Sequence, residues 1–154
     1  MVRVTADVEW EGDTPADLAR DLDRFGELVV EEVNRALEDL ALMVEREAKQ
    51  RAPVDTGTLR ASIGHVVEQI GAGFARAVIG TNVEYAPEVE FGTGPHTITG
   101  TPLRFTADGE TVFATTVQHP GTPAQPFLGP ALHAVEDDIN DRLREAVRRA
   151  ERRV

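Results

Sequence analysis

The sequence predicts an α+β fold: two long helices packed on one antiparallel sheet, with a β-hairpin inserted between the helices. Three observations carry this. Apolar residues recur every three or four positions over residues 15–49, and again from Phe127 onward. Two apolar runs, 64–70 and 74–80, flank a short loop with glycine at 71 and 73, the pattern of a hairpin. Two further extended runs, 102–106 and 111–117, flank Ala107-Asp108-Gly109-Glu110, and Asp-Gly between extended runs signals a second hairpin.

The elements follow in order. Residues 2–10 alternate apolar and polar, placing Val2, Val4, Ala6, Val8 and Trp10 on one face of a strand. Gly12-Asp13 breaks it. Thr14 or Asp13 can cap the first helix, with Pro15 at the first helical position. Its apolar stripe is Leu18, Leu22, Phe25, Val29, Val33, Ala36, Leu40 and Met43. Gly26 inside this stripe marks a bend or the close approach of another chain. Pro53 disfavours helix at Ala52 and ends the run. After the turn at Asp55-Thr56-Gly57-Thr58 comes a short stretch, 59–63, and then the first hairpin. Tyr85-Ala86-Pro87-Glu88-Val89-Glu90-Phe91 forms one helical turn stopped by Gly92. Residues 92–126 are rich in Gly, Pro and Thr, and the second hairpin lies within them. The last helix carries Leu128, Leu132, Val135, Ile139, Leu143, Ala146 and Ala150 on one face. Its acids Glu136, Asp137 and Asp138 come early and Arg148, Arg149, Arg152 and Arg153 late, as the helix dipole favours. No repeat or linker divides the chain, so residues 1–154 are expected to form a single domain.

Composition narrows the function. The 154 residues contain no cysteine, which excludes disulfides, thiolate catalysis and cysteine-ligated metals. No apolar run approaches the length of a membrane helix. The first residues carry no apolar signal stretch, so a cytoplasmic origin is expected. Net charge is −11, from 16 Lys and Arg against 27 Asp and Glu. Such a chain repels phosphate, so binding of nucleic acid driven by counterion release is not expected. Only Lys49 is a lysine. An acid-rich, lysine-poor chain fits a GC-rich genome with ordinary solubility. It also fits a salt-rich cytoplasm, where added salt screens the repulsion. We carry the second reading forward as the expectation.

The residue patterns offer little chemistry. Asp55-Thr56-Gly57 invites an aspartic-protease reading, which needs two facing carboxylates and hence a dimer. The simpler reading is a structural turn at Pro53, Asp55 and Gly57. In it Asp55 accepts from the amides of Gly57 or Thr58, and Gly57 supplies a permissive backbone. His65, His96, His119 and His133 have no metal-ligand spacing, although His96 and His119 bracket the second hairpin and are candidate neighbours at its base. Ser62 lacks a nucleophile-elbow context. Glu31–Arg35 and Glu45–Lys49 are pairs of a solvated helix face. No catalytic residue, cofactor or metal is expected. Candidate contact residues are the loop aromatics Tyr85, Phe91 and Phe127, with Leu103, Phe105 and Phe113 of the second hairpin. A lone two-stranded hairpin is marginal in water. Its apolar residues therefore need either their own domain or a neighbouring subunit.

Three segments resemble the signatures of one family: Ala52-Pro53-Val54-Asp55-Thr56-Gly57-Thr58-Leu59-Arg60-Ala61-Ser62-Ile63, Tyr85-Ala86-Pro87-Glu88-Val89-Glu90-Phe91-Gly92-Thr93, and Pro123-Ala124-Gln125-Pro126-Phe127-Leu128-Gly129-Pro130-Ala131-Leu132. In this order, between two long helices, the chain is similar to the neck or tail-component family of long-tailed bacteriophages over about residues 15–150. The resemblance implies a virion structural protein rather than an enzyme. It implies a homo-oligomeric ring at the head–tail junction, between head-completion and tail proteins, with genomic DNA passing without specific binding and no membrane involved. Assembly in the host cytoplasm follows. The acidity and the hairpin between His96 and His119 depart from the usual pattern, and the acidity suits a virus of a halophilic archaeon. The alternative is a small cytoplasmic binding module, toxin–antitoxin-like, with no virus role.

Overall fold

The computed structural model describes residues 12–69, 71, 73, 75–107 and 109–154. The strand expected at residues 2–10 lies outside the described residues. The elements are α1 (Pro15–Arg51), α2 (Thr58–Ser62), β1 (Gly64–Gln69), β2 (Ala75–Gly80), α3 (Ala86–Phe91), β3 (His96–Ala107), β4 (Glu110–His119) and α4 (Leu128–Glu151). The class is α+β with two long helices. The expectation of one sheet is corrected: among the described residues the strands form two separate two-stranded antiparallel sheets, β1-β2 and β3-β4. Each sheet pairs two strands that follow one another in the chain. Joining the two would require a non-local strand pairing, and α3 stands between them in the chain.

A reciprocal cap starts α1. The Asp17 amide donates to Thr14 Oγ1 at 3.3 Å, and the Thr14 amide donates to the Asp17 carboxylate at 3.0 Å. The Thr14 hydroxyl and amide together hold Asp17 below the usual carboxylate range. Pro15 follows at the first helical position, where its missing N–H costs nothing. Gly26 has nothing within 4 Å of the position its Cβ would take, so no described segment approaches it closely.

The chain groups into two compact units. The first takes α1 up to Leu40, residues 67–77, and α4 from Asp137 onward. Its buried apolar residues are Ala36, Leu40, Ala146 and Ala150. Three of these four are alanines. Leu18 and Leu22, read from the periodicity as part of the stripe, are exposed.

The second unit takes residues 41–66 and 78–136. Its core is Ala41, Val44, Ala48, Ala52, Leu59, Ile63, Ala86, Phe127, Ala131 and Val135. All three sequence signatures fall in this unit.

Candidate functional site

The first signature turns the chain after α1. Ala52 still accepts a helical geometry, its amide donating to the Ala48 carbonyl at 2.8 Å. The Arg60 guanidinium reaches back to the Ala52 carbonyl at 3.4 Å, at the helix end where cations are favoured. Gly57 takes φ +86° directly before α2. Leu59 and Ile63 point into the core, and the Ser62 hydroxyl lies 2.5 Å from that of Thr81.

Asp55 does not play the role read for it. No side chain caps α2, and Thr56 Oγ1 accepts from the Thr58 amide at a long 3.4 Å. A glycine in left-handed conformation aims the chain into this helix, so the carboxylate is not needed and stays exposed. Asp55 also lies between two helices, not between the paired strands that an aspartic protease requires. Asp55→Ala should therefore change stability by no more than about 0.5 kcal/mol. Urea unfolding of both proteins measures this, and a loss above that bound would restore the capping role.

The second and third signatures build one joint. Glu90, near the end of α3, extends its carboxylate to the start of α4. Its Oε2 accepts from the amides of Phe127 at 2.7 Å and Leu128 at 3.0 Å, and its Oε1 from that of Gly129 at 2.9 Å. These are orphan donors of the helix N-terminus, and Pro130 removes the next one by having no N–H. Burial opposes the charge on Glu90. The amides of Phe127, Gly129 and Leu128 outweigh it and hold the carboxyl below the usual carboxylate range. The Gln125 amide adds a bond to the Val89 carbonyl at 2.8 Å.

Phe127 is the apolar half of this joint. It was read as a loop aromatic available for contacts, and that reading is corrected: it is 0% exposed and is one of the two largest fully buried side chains. The bonds from Glu90 to its own amide and the next two turn the chain inward at that point, which drives the ring into the core.

The second hairpin springs from the same joint. Thr93 and Thr122 exchange backbone bonds of 2.9 and 3.1 Å, closing its base. Glycine is required on both sides of this closure. Gly92 has φ +72°, and a Cβ there would lie 2.7 Å from the Thr122 carbonyl. Gly121 has φ +93°, and its Cβ would lie 2.2 Å from the Thr93 carbonyl.

Beyond the closure, β3 and β4 pair from His96↔His119 out to Ala107↔Glu110, with an irregularity between Thr99 and Leu103. The two histidine rings stand 5.0 Å apart. His96 Nδ1–H donates to the Gly94 carbonyl at 3.0 Å, whereas His119 Nδ1 accepts from the Gly121 amide at 3.1 Å. These bonds tie the base of the hairpin to the closure. Phe113 is 62% exposed, and Ile98 and Val112 are also exposed. Leu103 is half-buried, and Phe105 takes the register position opposite Val112. On the joint itself Tyr85 is exposed and Phe91 is 80% exposed.

A second charged cluster, in the first unit, escaped the sequence reading. Glu32 is only 4% exposed. Its carboxylate accepts from Arg153 at 2.7 Å, Arg149 at 2.9 Å and Arg35 at 3.0 Å. Burial works against its charge, and the bonds from Arg153 and Arg149 with the nearby Arg35 override it, leaving Glu32 below the usual carboxylate range. The terminal arginines thus serve the fold: Arg148 and Arg152 pair with Glu145. The signal was present, since Glu32 lies three residues after Val29 and four before Ala36, on the apolar face. For Glu90 the signal was the lack of any Ser, Thr, Asp or Asn at the start of α4, which leaves its amides to a distant partner.

No group of three or more metal-ligating side chains occurs among the described residues. No described helix is long and apolar enough to cross a membrane. A search of curated proteins and a search of solved structures each return no match. Residues 16–92 match the family described as "Bacteriophage HK97-gp10, putative tail-component". The match takes in α1, the first signature and nearly all of the second, and half of the chain in all. The chain therefore belongs to the HK97-gp10-like family of phage tail components.

Proposed function

We propose that this protein is a neck component of the virion. It forms a homomeric ring at the head–tail junction, bounded by head-completion and tail proteins, and genomic DNA passes through the ring. One observation carries the reading beyond the family: a hairpin of two long strands stands exposed on a rigid joint that two of the three signatures build. Such an arm on a fixed base suits contacts between subunits rather than catalysis. The net charge of −11 suits a channel that lets a duplex slide without holding it. Light scattering and electron microscopy of the purified protein, alone and with tail-less heads, test this. Closed rings, or particles that gain a ring at the portal vertex, support it. A chain that stays monomeric at high concentration and binds neither heads nor tails overturns it.

We also propose that the fold is adapted to high salt. Between Pro15 and Lys49, ten acids face five cations. Asp17, Glu31, Glu45 and Glu47 are engaged by Arg20, Arg35, Lys49 and Arg51. Asp21, Asp23 and Glu27 have no hydrogen bond or ion pair among the described residues, and crowd adjacent turns. Like charges at helical neighbours cost a few tenths of a kcal/mol each, and salt screens them. The thermal midpoint should rise by several degrees between millimolar and molar sodium chloride. A flat or falling midpoint leaves codon bias as the source of the acidity.

A further inference from the structure

We infer that the β3–β4 arm of one copy docks in an apolar groove on the second unit of the next copy, so that assembly is head-to-tail. The inference rests on the ring reading above and names the contact that would build the ring. The groove has a volume of about 620 Å³ and is lined by Val83, Glu84, Pro87, Phe91, Leu128 and Gly129 among others. Phe91, at its edge, is the most exposed large apolar side chain described.

The arm does not fill the groove of its own chain: Phe113 stays 62% and Phe91 80% exposed. Phe91 directly precedes Gly92, so the groove adjoins the base of the arm. The paired ladder runs from His96↔His119 to Ala107↔Glu110 with one irregularity between Thr99 and Leu103, and at about 3.3 Å per residue β4 alone is roughly 30 Å long. Phe113 lies toward the far end of that ladder, on the face it shares with its partner Arg104, whereas Val112 and Leu103 lie on the opposite face. Two exposed apolar features on one chain, Phe113 and the groove at Phe91, satisfy each other between copies. A contact of two different patches is heterologous and propagates around a ring.

Charge points to the same occupant. Copies of a chain with net charge −11 repel one another. Residues 96–119 hold only three charged side chains, Arg104, Asp108 and Glu110, so the arm is the segment that can approach at least cost. Arg104 is the arm's sole cation and the register partner of Phe113, which places both on one face of the hairpin. The groove offers the matching pair, exposed Phe91 and Glu84.

Two variants test the inference by mixing. Phe91→Glu disables the groove and leaves the arm intact. Val112→Asp with Phe113→Asp disables the arm and leaves the groove intact. All three positions are exposed, and circular dichroism checks that both variants keep the wild-type helical signal and melting. Mass is then read by light scattering under conditions where the wild type assembles. Each variant alone should stay monomeric. Their equimolar mixture should stop at a one-to-one dimer, because only one intact arm and one intact groove meet. Exchanging charges, with Glu84→Arg in one protein and Arg104→Glu in the other, should restore a contact that either change alone weakens at least tenfold. Wild-type assembly by either variant alone, or a mixture that stays monomeric, overturns the arm-and-groove contact while leaving the ring standing. A wild type that neither self-assembles nor joins heads or tails overturns both.

Discussion

Phe127→Ala should cost about 3–5 kcal/mol, the range for truncating a fully buried phenylalanine. The ring is 0% exposed, and among the described residues only Val135 shares its class of large, completely buried side chains. The described core of its unit holds five alanines, Ala41, Ala48, Ala52, Ala86 and Ala131, beside Val44, Leu59, Ile63 and Val135. Alanines cannot swing into a void, so they leave part of the cavity unfilled. Against a total of roughly 5–15 kcal/mol, the loss is enough to threaten folding. Urea denaturation measures it. Phe127→Leu serves as the companion and should lose well under half as much. Equal losses for the two would mean that the ring fills no specific space.

Glu90→Ala should cost about 2–4 kcal/mol, since three charge-assisted bonds are removed and the start of α4 keeps no local substitute. Glu90→Gln should recover part of it, because one oxygen remains to accept. The pH dependence has a definite sign. Folded Glu90 titrates below its unfolded counterpart, so its stabilisation is complete above the ordinary carboxylate range. It declines as the pH falls through the lower, folded value. Glu32 is lowered in the same direction, so the wild type loses stability in acid from both. The gap between wild type and Glu90→Ala should narrow on acidification. A gap that stays constant from neutral to acid pH would show that the carboxylate charge contributes nothing.

What was legible in the sequence was local. The spacing from Phe25 to Leu40 and the Thr14-Pro15 start gave α1, and Asp108-Gly109 gave the turn of the second hairpin. What was missed was set by distant partners. Phe127 follows Pro123-Ala124-Gln125-Pro126, a string typical of a loop, and nothing within ten residues announces that Glu90 anchors its amide. Asp55 sits where a cap belongs by spacing, yet Gly57 makes the turn without it. Glu32 stood out only by lying on the apolar face of α1; its partners Arg149 and Arg153 come from the far end of the chain. Whether two hairpins join into one sheet is likewise a non-local matter, and the alternation within each says nothing of it. The signatures were visible as strings. That two of them form one anion-capped joint was visible only in three dimensions.

The bond pair between Thr93 and Thr122 has a consequence for how such a protein can diverge. Everything beyond the clasp is an excursion whose two ends are already held together. Doubling the length of a flexible loop closed in this way costs only about 0.6 kcal/mol. The outer hairpin can therefore lengthen, shorten or change its tip without disturbing Glu90, Phe127 or the helices behind them. Selection can act on the tool while the handle stays constant: a change of binding partner needs to rewrite some twenty residues and can leave the fold alone.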